Sequence, residues 1–257
     1  MMIITLLTDF GTTDGYVAEV KGALLRRAPE AVLVDVAHDL APGDVVAAAY
    51  VLGRAWRAFP DGTVHLAVVD PGVGTPRRAL AGEAGGHRFV APDNGLLTSA
   101  LEGRAFDVVA LEVPVGASST FHGRDVFAPA AARLAVGEPL AALGPRVVDP
   151  VLLPPARLER RGGDLVGTVV HVDHFGTLIT NLPGAGLAPG AIVRLGAYDL
   201  ELRKTFADVA PGYPVAFVGS GGTVEVAVRD VRADAALRLT RGAEVRASAC
   251  ASAPPSR

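Results

Sequence analysis

The residues able to do chemistry fall in a few short polar stretches. The stretch Val69 to Arg78 reads VDPGVGTPRR: Asp70 ends a β-branched run, and a Gly- and Pro-rich turn then brings Arg77 and Arg78 back towards it. Gly72 and Gly74 permit positive φ or close backbone approach, Pro76 stiffens the approach to Arg77, and charged Gly/Pro loops often carry function. A surface Asp–Arg pair of little energetic weight is the plainer alternative. Arg78 has no comparable claim and reads as structural or solvated. In TFHGRDVFAP, Thr120 to Pro129, His122 stands on a Gly-flanked loop just before a helical pattern, a suitable place for acid–base work. Arg124 and Asp125 beside it read as a pair or a cap. In TDFGTTDG, Thr8 to Gly15, Asp9 ends an apolar run. Its carboxylate suits a ribose diol, a metal or a loop brace, whereas Thr13 or Asp14 is placed to cap the following helix. Further on, VDHFGTLITN (Val172 to Asn181) and VGSGGTVEVAVRD (Val218 to Asp230) read as hairpin turns, the second with Ser-Gly-Gly amides able to face an anion.

These stretches must be held by regular elements. IITLLT, AVLVDV, TVHLAVV and HRFVA are β-rich runs, with helical patterns at Gly15 to Arg27, from about Pro42 through Leu52, and at Phe127 to Ala135. The alternation predicts an α/β, Rossmann-like N-terminal domain whose central sheet is covered on both faces. There the polar stretches sit at the carboxyl ends of strands, where open α/β sheets bind ligands. PRVVDPVLLPPARLERRGGD reads as a linker. Beyond it LVGTVVHVD, TLITN, AIVRLG, YDLELR, PVAFVG, TVEVAVRD and AEVRA predict a smaller all-β, antiparallel barrel or sandwich. The expected domains are 1–150 (α/β), 160–248 (β-barrel-like) and a disordered small-residue and Pro-rich tail, 249–257.

Composition removes several classes. With 24 basic and 27 acidic residues and few aromatics, the chain carries no basic footprint or stacking platform for nucleic acid. No apolar run reaches the ~20 residues of a membrane helix. The single cysteine, Cys250, cannot make a disulfide framework, and with no signal-like segment at the start this points to the cytoplasm. Nucleotide-binding and hydrolase fingerprints such as G-x-x-x-x-G-K-[ST] and G-x-S-x-G are absent. A metal held by Asp9, Asp14, Asp70 and His122 has no tight ligand spacing behind it, so neither metal nor cofactor is expected.

Taken together and in order, LLTDFGTTDGYVAEVKG, VVDPGVGTPRR, FVAPDNGLLT, TFHGRDVFAP, VDHFGTLITN and the Ser-Gly-Gly segment resemble the S-adenosyl-L-methionine hydroxide adenosyltransferase family, the hydrolase branch of the superfamily that contains fluorinase and chlorinase. The resemblance runs from residue 3 to about residue 247. It implies conversion of S-adenosyl-L-methionine and water to adenosine and L-methionine. It also implies a homotrimer whose sites lie between the N-terminal domain of one subunit and the C-terminal domain of the next. By similarity, Asp70, Arg77 and His122 are the catalytic set and Asp9 binds ribose. Phe10, Phe121 and Phe206 line the nucleoside pocket. Asp173, Ser220 and Glu225 meet the amino-acid end or the base, and Val228 offers backbone groups to adenine. Thr177 stands where many relatives have an adenine-contacting Asn, and a hydroxyl offers fewer fixed bonds than an amide.

The resemblance implies attack on C5′ opposite the sulfonium. The leaving thioether is neutral, so the difficulty lies in the nucleophile rather than in expelling the leaving group. A fixed anionic Asp70 would repel a halide. Fluorinase-like relatives carry Tyr there and lack the His, so the trio favours hydroxide over halide. A sensor that binds the substrate without turnover, and a metal-dependent nucleotidase, are the readings from other classes. The sequence leaves the preferred sulfonium epimer open; the unnatural (R) form is the one the resemblance brings forward.

Overall fold

Strand β1 (Ile3–Thr8) is buried along its whole length, which is why its apolar run shows no polar alternation. It lies between β2 (Val32–Ala37) and β3 (Val64–Val68), parallel to both. The computed structural model describes residues 2–248, and the chain divides into two units, Met1–Leu153 and Pro154–Arg257. Cys250 and the tail 249–257 lie outside the described residues.

In the first unit the sheet continues from β3 through β4 (Ala79–Ala84), β5 (His87–Pro92) and β6 (Phe106–Leu111), in the order β2-β1-β3-β5-β4-β6. Helices α1 (Tyr16–Leu25) and α4 (Ala128–Ala135) cover one face, packing Val20, Leu24 and Leu134 on Leu6, Leu66 and Val90. The helices α2 (Val45–Ala55) and α3 (Thr98–Leu101) cover the other, where Leu52, Leu97 and Leu101 meet Leu7, Ala67 and Phe89. Adjacent strand residues thus serve opposite layers.

Strands β4 and β6 were not among the expected elements. Ala, Gly and Glu give β4 little strand propensity; it is a strand because both its edges pair, antiparallel to β5 and β6. The absence of a side chain at Gly82 permits this, since a Cβ there would stand 3.2 Å from the Asp107 carbonyl. The helix-capping expectation also fails. Gly15, in the helical region, precedes α1 and no side chain caps it, so Asp14 lies one residue too early. The first part of the expected linker is laced onto the sheet: Ala110 N donates to the Pro145 carbonyl, Val147 N to that of Val108, and Leu153 N to Thr98 Oγ1.

The second unit contains β7 (Glu159–Arg161), β8 (Asp164–Val172), β9 (Leu178–Pro183), β10 (Ile192–Leu195), β11 (Tyr198–Arg203), β12 (Pro214–Val218), β13 (Thr223–Val228) and β14 (Glu244–Ser248), with a short helix α5 (Ala233–Leu237). All strands but β7 close into a ring, because β14 pairs with both β10 and β8. Alternate residues such as Val193, Leu195, Leu200, Leu202, Val224, Val226 and Val245 fill its interior. The pairing is antiparallel as expected, except that β11 and β12 run parallel.

One polar chain is sealed inside the first unit. Thr5 Oγ1 bonds His65 Nδ1 at 2.8 Å, His65 Nε2 bonds His87 Nδ1 at 3.0 Å, and the His65 ring stacks on Phe89. Burial first, and His87 second, hold His65 down at about 3; burial also lowers His87. Both imidazoles are therefore neutral in the fold. Below the ordinary histidine value the unfolded chain binds protons that the folded chain refuses, so stability is full above about pH 6.5 and is lost as the pH falls. Urea unfolding should give a free energy lower by roughly 1 kcal/mol or more at pH 5.5 than at pH 7.5. An equal midpoint and slope at the two pH values would contradict the buried neutral pair.

Candidate active site

The chain leaves β3 through buried Val69 and reaches Asp70 at the carboxyl end of the sheet. A tight loop follows, with Val73 N donating to the Asp70 carbonyl and Thr75 N and Oγ1 both donating to that of Gly72. Gly74 has φ +77°, and a Cβ there would lie 2.7 Å from the Ser119 carbonyl oxygen. Only glycine lets this loop rest against residues 118–122, which end in His122. After His122 the backbone widens into one π-helical turn, Gly123–Phe127, before α4 begins. Such turns are frequent at functional sites.

These elements bring Asp70, Arg77 and His122 together. Arg77 Nε donates to both Asp70 oxygens, at 3.0 and 3.1 Å, and Nη2 makes a very short contact with Asp70 Oδ2. Nη2 also meets His122 Nδ1 at 2.9 Å. The guanidinium lies over the Phe127 ring, 5.2 Å from its centre. The Asp70 and Arg77 side chains are only 6% and 10% exposed. Arg77 Nη1 is buried and has no hydrogen-bond partner among the described residues.

The electrostatics fix the imidazole. Burial and then the Arg77 charge push His122 below the ordinary histidine value, against the opposing pull of Asp70 and Asp125. A guanidinium can only donate, so Nδ1 must accept and the neutral ring carries its proton on Nε2. Arg77 thereby neutralises a carboxylate, sets a tautomer and retains unused donors on Nη1. The arrangement suits binding and polarising a small oxygen nucleophile.

Around this trio, Asp9 Oδ2 accepts from Gly43 N at 2.7 Å, the loop brace that was one of its possible roles. Phe10 and Phe121 meet edge to face, with centres 5.7 Å apart. Tyr16, which sequence reasoning did not single out, completes the cluster against both rings. A Cβ on Gly123 would touch Phe10 and Phe121, so that glycine admits the ring pair. Arg124 and Asp125 do pair, and they are also ties between segments: Arg124 Nη1 reaches Glu19 of α1 and Asp125 accepts from Ser118 N. Arg78 is structural, bonded to Asp93 and Asp149. Among the described residues no group of three or more His, Cys, Asp or Glu side chains is placed to hold a metal ion, so Asp9, Asp14, Asp70 and His122 do not form such a set.

The second unit contains its own cavity of about 1000 Å³, lined by Asp173, Thr177, Phe206, Glu225 and Val228 among others. Asp173 Oδ1 accepts from the amides of Phe175 and Thr177, so this carboxylate shapes its own turn. The Glu225 carboxylate lies over Gly219, where a Cβ would stand 1.9 Å from Oε1. Ser220 lies in the turn between β12 and β13, where Gly222 N donates to the Gly219 carbonyl, and does not line the cavity. Arg232 was also missed; it lines the cavity and donates to the His174 carbonyl and to Asp234. No helix of the described residues is long and apolar enough to cross a membrane.

Residues 4–144 match the SAM hydroxide adenosyltransferase N-terminal domain, and residues 167–246 match the C-terminal domain of the same family. The chain is 45% identical to the (R)-S-adenosyl-L-methionine hydrolase of Thermus thermophilus, covering 96% of this chain and 99% of the relative. It is 32% identical to a fluorinase from Actinopolyspora mzabensis, covering 88% and 90% of the two. The crystal structure of an uncharacterized conserved protein from Thermotoga maritima superposes with a TM-score of 0.87 at 35% identity, over 95% of this chain and 99% of that one. Two domain matches in the expected order and relatives aligned nearly end to end agree: this chain belongs to the SAM hydroxide adenosyltransferase family.

Proposed function

We propose that this protein hydrolyses S-adenosyl-L-methionine, taking the (R)-sulfonium epimer, to adenosine and L-methionine. The observation that carries the reading is the Arg77 guanidinium, shared between Asp70 and His122 with Nη1 left without a partner among the described residues. Relatives named for that hydrolysis align with 96% of the chain. In the reaction a water oxygen attacks C5′ in line with the sulfonium. The O–C5′ bond forms, the C5′–S bond breaks, its electron pair stays on sulfur as the methionine thioether, and the water proton is released to solvent.

Each member of the trio has a distinct part. His122 Nε2–H and Arg77 Nη1 donate to the attacking oxygen and favour its hydroxide form, while Asp70 holds the guanidinium in place. Exclusion of bulk water strengthens these contacts, and placement at near-attack distance supplies much of the rate. Asp9 holds the ribose diol, and Phe10, Phe121 and Phe206 the nucleoside. Asp173, Ser220 and Glu225 meet the amino-acid end or the base. Thr177 and the Val228 backbone face adenine. The chain works without metal or cofactor as a cytoplasmic homotrimer, each site shared between the α/β domain of one subunit and the barrel of its neighbour.

Halide transfer is the second reading, favoured only by the more distant fluorinases. The buried Asp70 carboxylate opposes it, since a fixed anion in the site would repel a halide. Incubation with each sulfonium epimer, with and without chloride or fluoride, should give adenosine and methionine in equal amounts, independent of halide and faster from the (R) form. A 5′-halo-nucleoside, or no turnover at all, would sink the proposal. Asp70→Ala should lower kcat by roughly 100-fold or more while adenosine still binds; equal loss of binding would remove Asp70 from the chemistry.

The pH profile follows from the tautomer. Protonating Nδ1 would set an N–H against the Arg77 N–H, so activity should fall on acidification as His122 takes a proton. Because its value is lowered in the fold, kcat/KM is expected to stay level down to about pH 6.5 and decline only below it. An acid limb centred above pH 6.5 would contradict the assignment.

A further inference from the structure

The first unit holds a second histidine that is 6% exposed and bonded in a directed way, His38, which none of the roles above uses. It follows β2 directly. Its Nδ1 bonds Thr8 Oγ1 at 2.7 Å, and Thr8 is 1% exposed. Thr8 Oγ1 in turn accepts from Phe10 N at 3.3 Å, and the His38 carbonyl accepts from Gly11 N at 2.9 Å. On its other side, His38 Nε2 stands 3.0 Å from Asp35 Oδ1, off the line of a hydrogen bond but within ion-pair distance, and Asp35 Oδ2 takes Lys21 Nζ at 2.7 Å.

Phe10 N–H donates to the Thr8 hydroxyl, the same hydroxyl bonds His38 Nδ1, and Nε2 on the far side of the ring stands within ion-pair distance of the Asp35 carboxylate. Buried polar chains of this kind fix one geometry and are costly when left half satisfied. This one acts on the residues on either side of Asp9. Thr8 precedes it, and Phe10 and Gly11 are tied by backbone amides, while Gly43 N holds the Asp9 carboxylate itself. The β1–β2 register slips between Leu6 and Leu7, and the regular pairing of β1 with β3 ends at Thr8, so strand pairing does not reach Asp9 and Phe10 themselves.

From this we infer that His38 is a positioning residue for the nucleoside end of the site, acting through the Thr8 hydroxyl and the Gly11 amide to set Asp9 and Phe10. The inference rests on the reading above that Asp9 and Phe10 meet the nucleoside. It predicts a loss in binding rather than in the bond-making step, because the trio Asp70, Arg77 and His122 does not depend on His38.

Three variants separate the cases. Thr8→Val removes the hydroxyl at nearly constant shape. His38→Gln keeps a polar group near Asp35 but loses the partner of Thr8. His38→Asn keeps a hydrogen-bonding group where Nδ1 stood. In the full-length protein, adenosine binding by calorimetry and steady-state turnover of S-adenosyl-L-methionine should agree. Thr8→Val and His38→Gln should weaken adenosine binding and raise KM by about fivefold or more, with kcat within about twofold, and His38→Asn should restore most of the loss. A strut that only supports folding would lower the melting temperature and the active fraction, hence kcat, with KM and the adenosine Kd unmoved; that result overturns the inference. Unchanged binding in all three variants, or no adenosine binding by the unsubstituted protein, overturns it as well. Adenosine binding that responds as expected, in a protein that does not turn over the sulfonium substrate, would sustain the inference and refute the hydrolase reading.

Discussion

The first unit is organised around one guanidinium. Arg77 takes both oxygens of Asp70 and still reaches His122, and each of these contacts requires backbone to be somewhere unusual. The Asp must leave the sheet at the end of β3. The Arg must return after a loop that only a left-handed glycine can make. The His must arrive on a segment that packs against that loop. Gly74, pressed on the Ser119 carbonyl, and the π-helical turn at Gly123–Phe127 are the two departures from regular backbone that satisfy these demands. Such departures persist where surrounding contacts over-determine them.

Electrostatics then follow from that geometry. A lone buried arginine or aspartate would be costly, but a bidentate pair removes most of the penalty and leaves directed donors over. The histidine contributes by remaining neutral. Its burial and its cationic neighbour both work against protonation, so the ring is an aimed hydrogen-bond donor and not a second charge. The same burial logic governs His65, yet there the consequence is confined to stability because the ring faces only Thr5, His87 and apolar walls.

Much of this was legible in the sequence, for identifiable reasons. Strands buried on both faces, such as β1 and β3, announce themselves as largely apolar runs, and barrel strands such as β11 and β13 show apolar residues at every second position, Leu200 and Leu202 in one and Val224, Val226 and Val228 in the other. Asp70 and Arg77 could be linked because the six residues between them, Pro71 to Pro76, include two glycines and two prolines and leave them few other places to be. The strand β4 could not be read, because Ala79 to Ala84 becomes a strand only through partners on both sides. Nor could the failure of Asp14 to cap α1, which depends on the dihedral angles of Gly15, nor the placing of Tyr16 against Phe10 and Phe121, which depends on how α1 is docked. Local pattern reports which residues are buried; pairing partners and the order of strands around a ring are long-range facts.

The parallel pairing of β11 with β12 is one such fact, and it bears on how the barrel tolerates change. Consecutive antiparallel strands need only a turn, but a parallel neighbour requires the chain to travel back along the sheet before it can pair. The segment from Lys204 to Tyr213 makes that return, with Thr205 and Asp208 capping each other and Phe206 carried on the way to the cavity wall. Shortening it would not give a tighter loop. It would leave β12 unable to reach its register, in which Ala216 lies opposite Leu202 and Phe217 opposite Arg203. Extra residues can be absorbed in this stretch, whereas missing ones cannot, so the length of this connection is constrained even where its residue types are free.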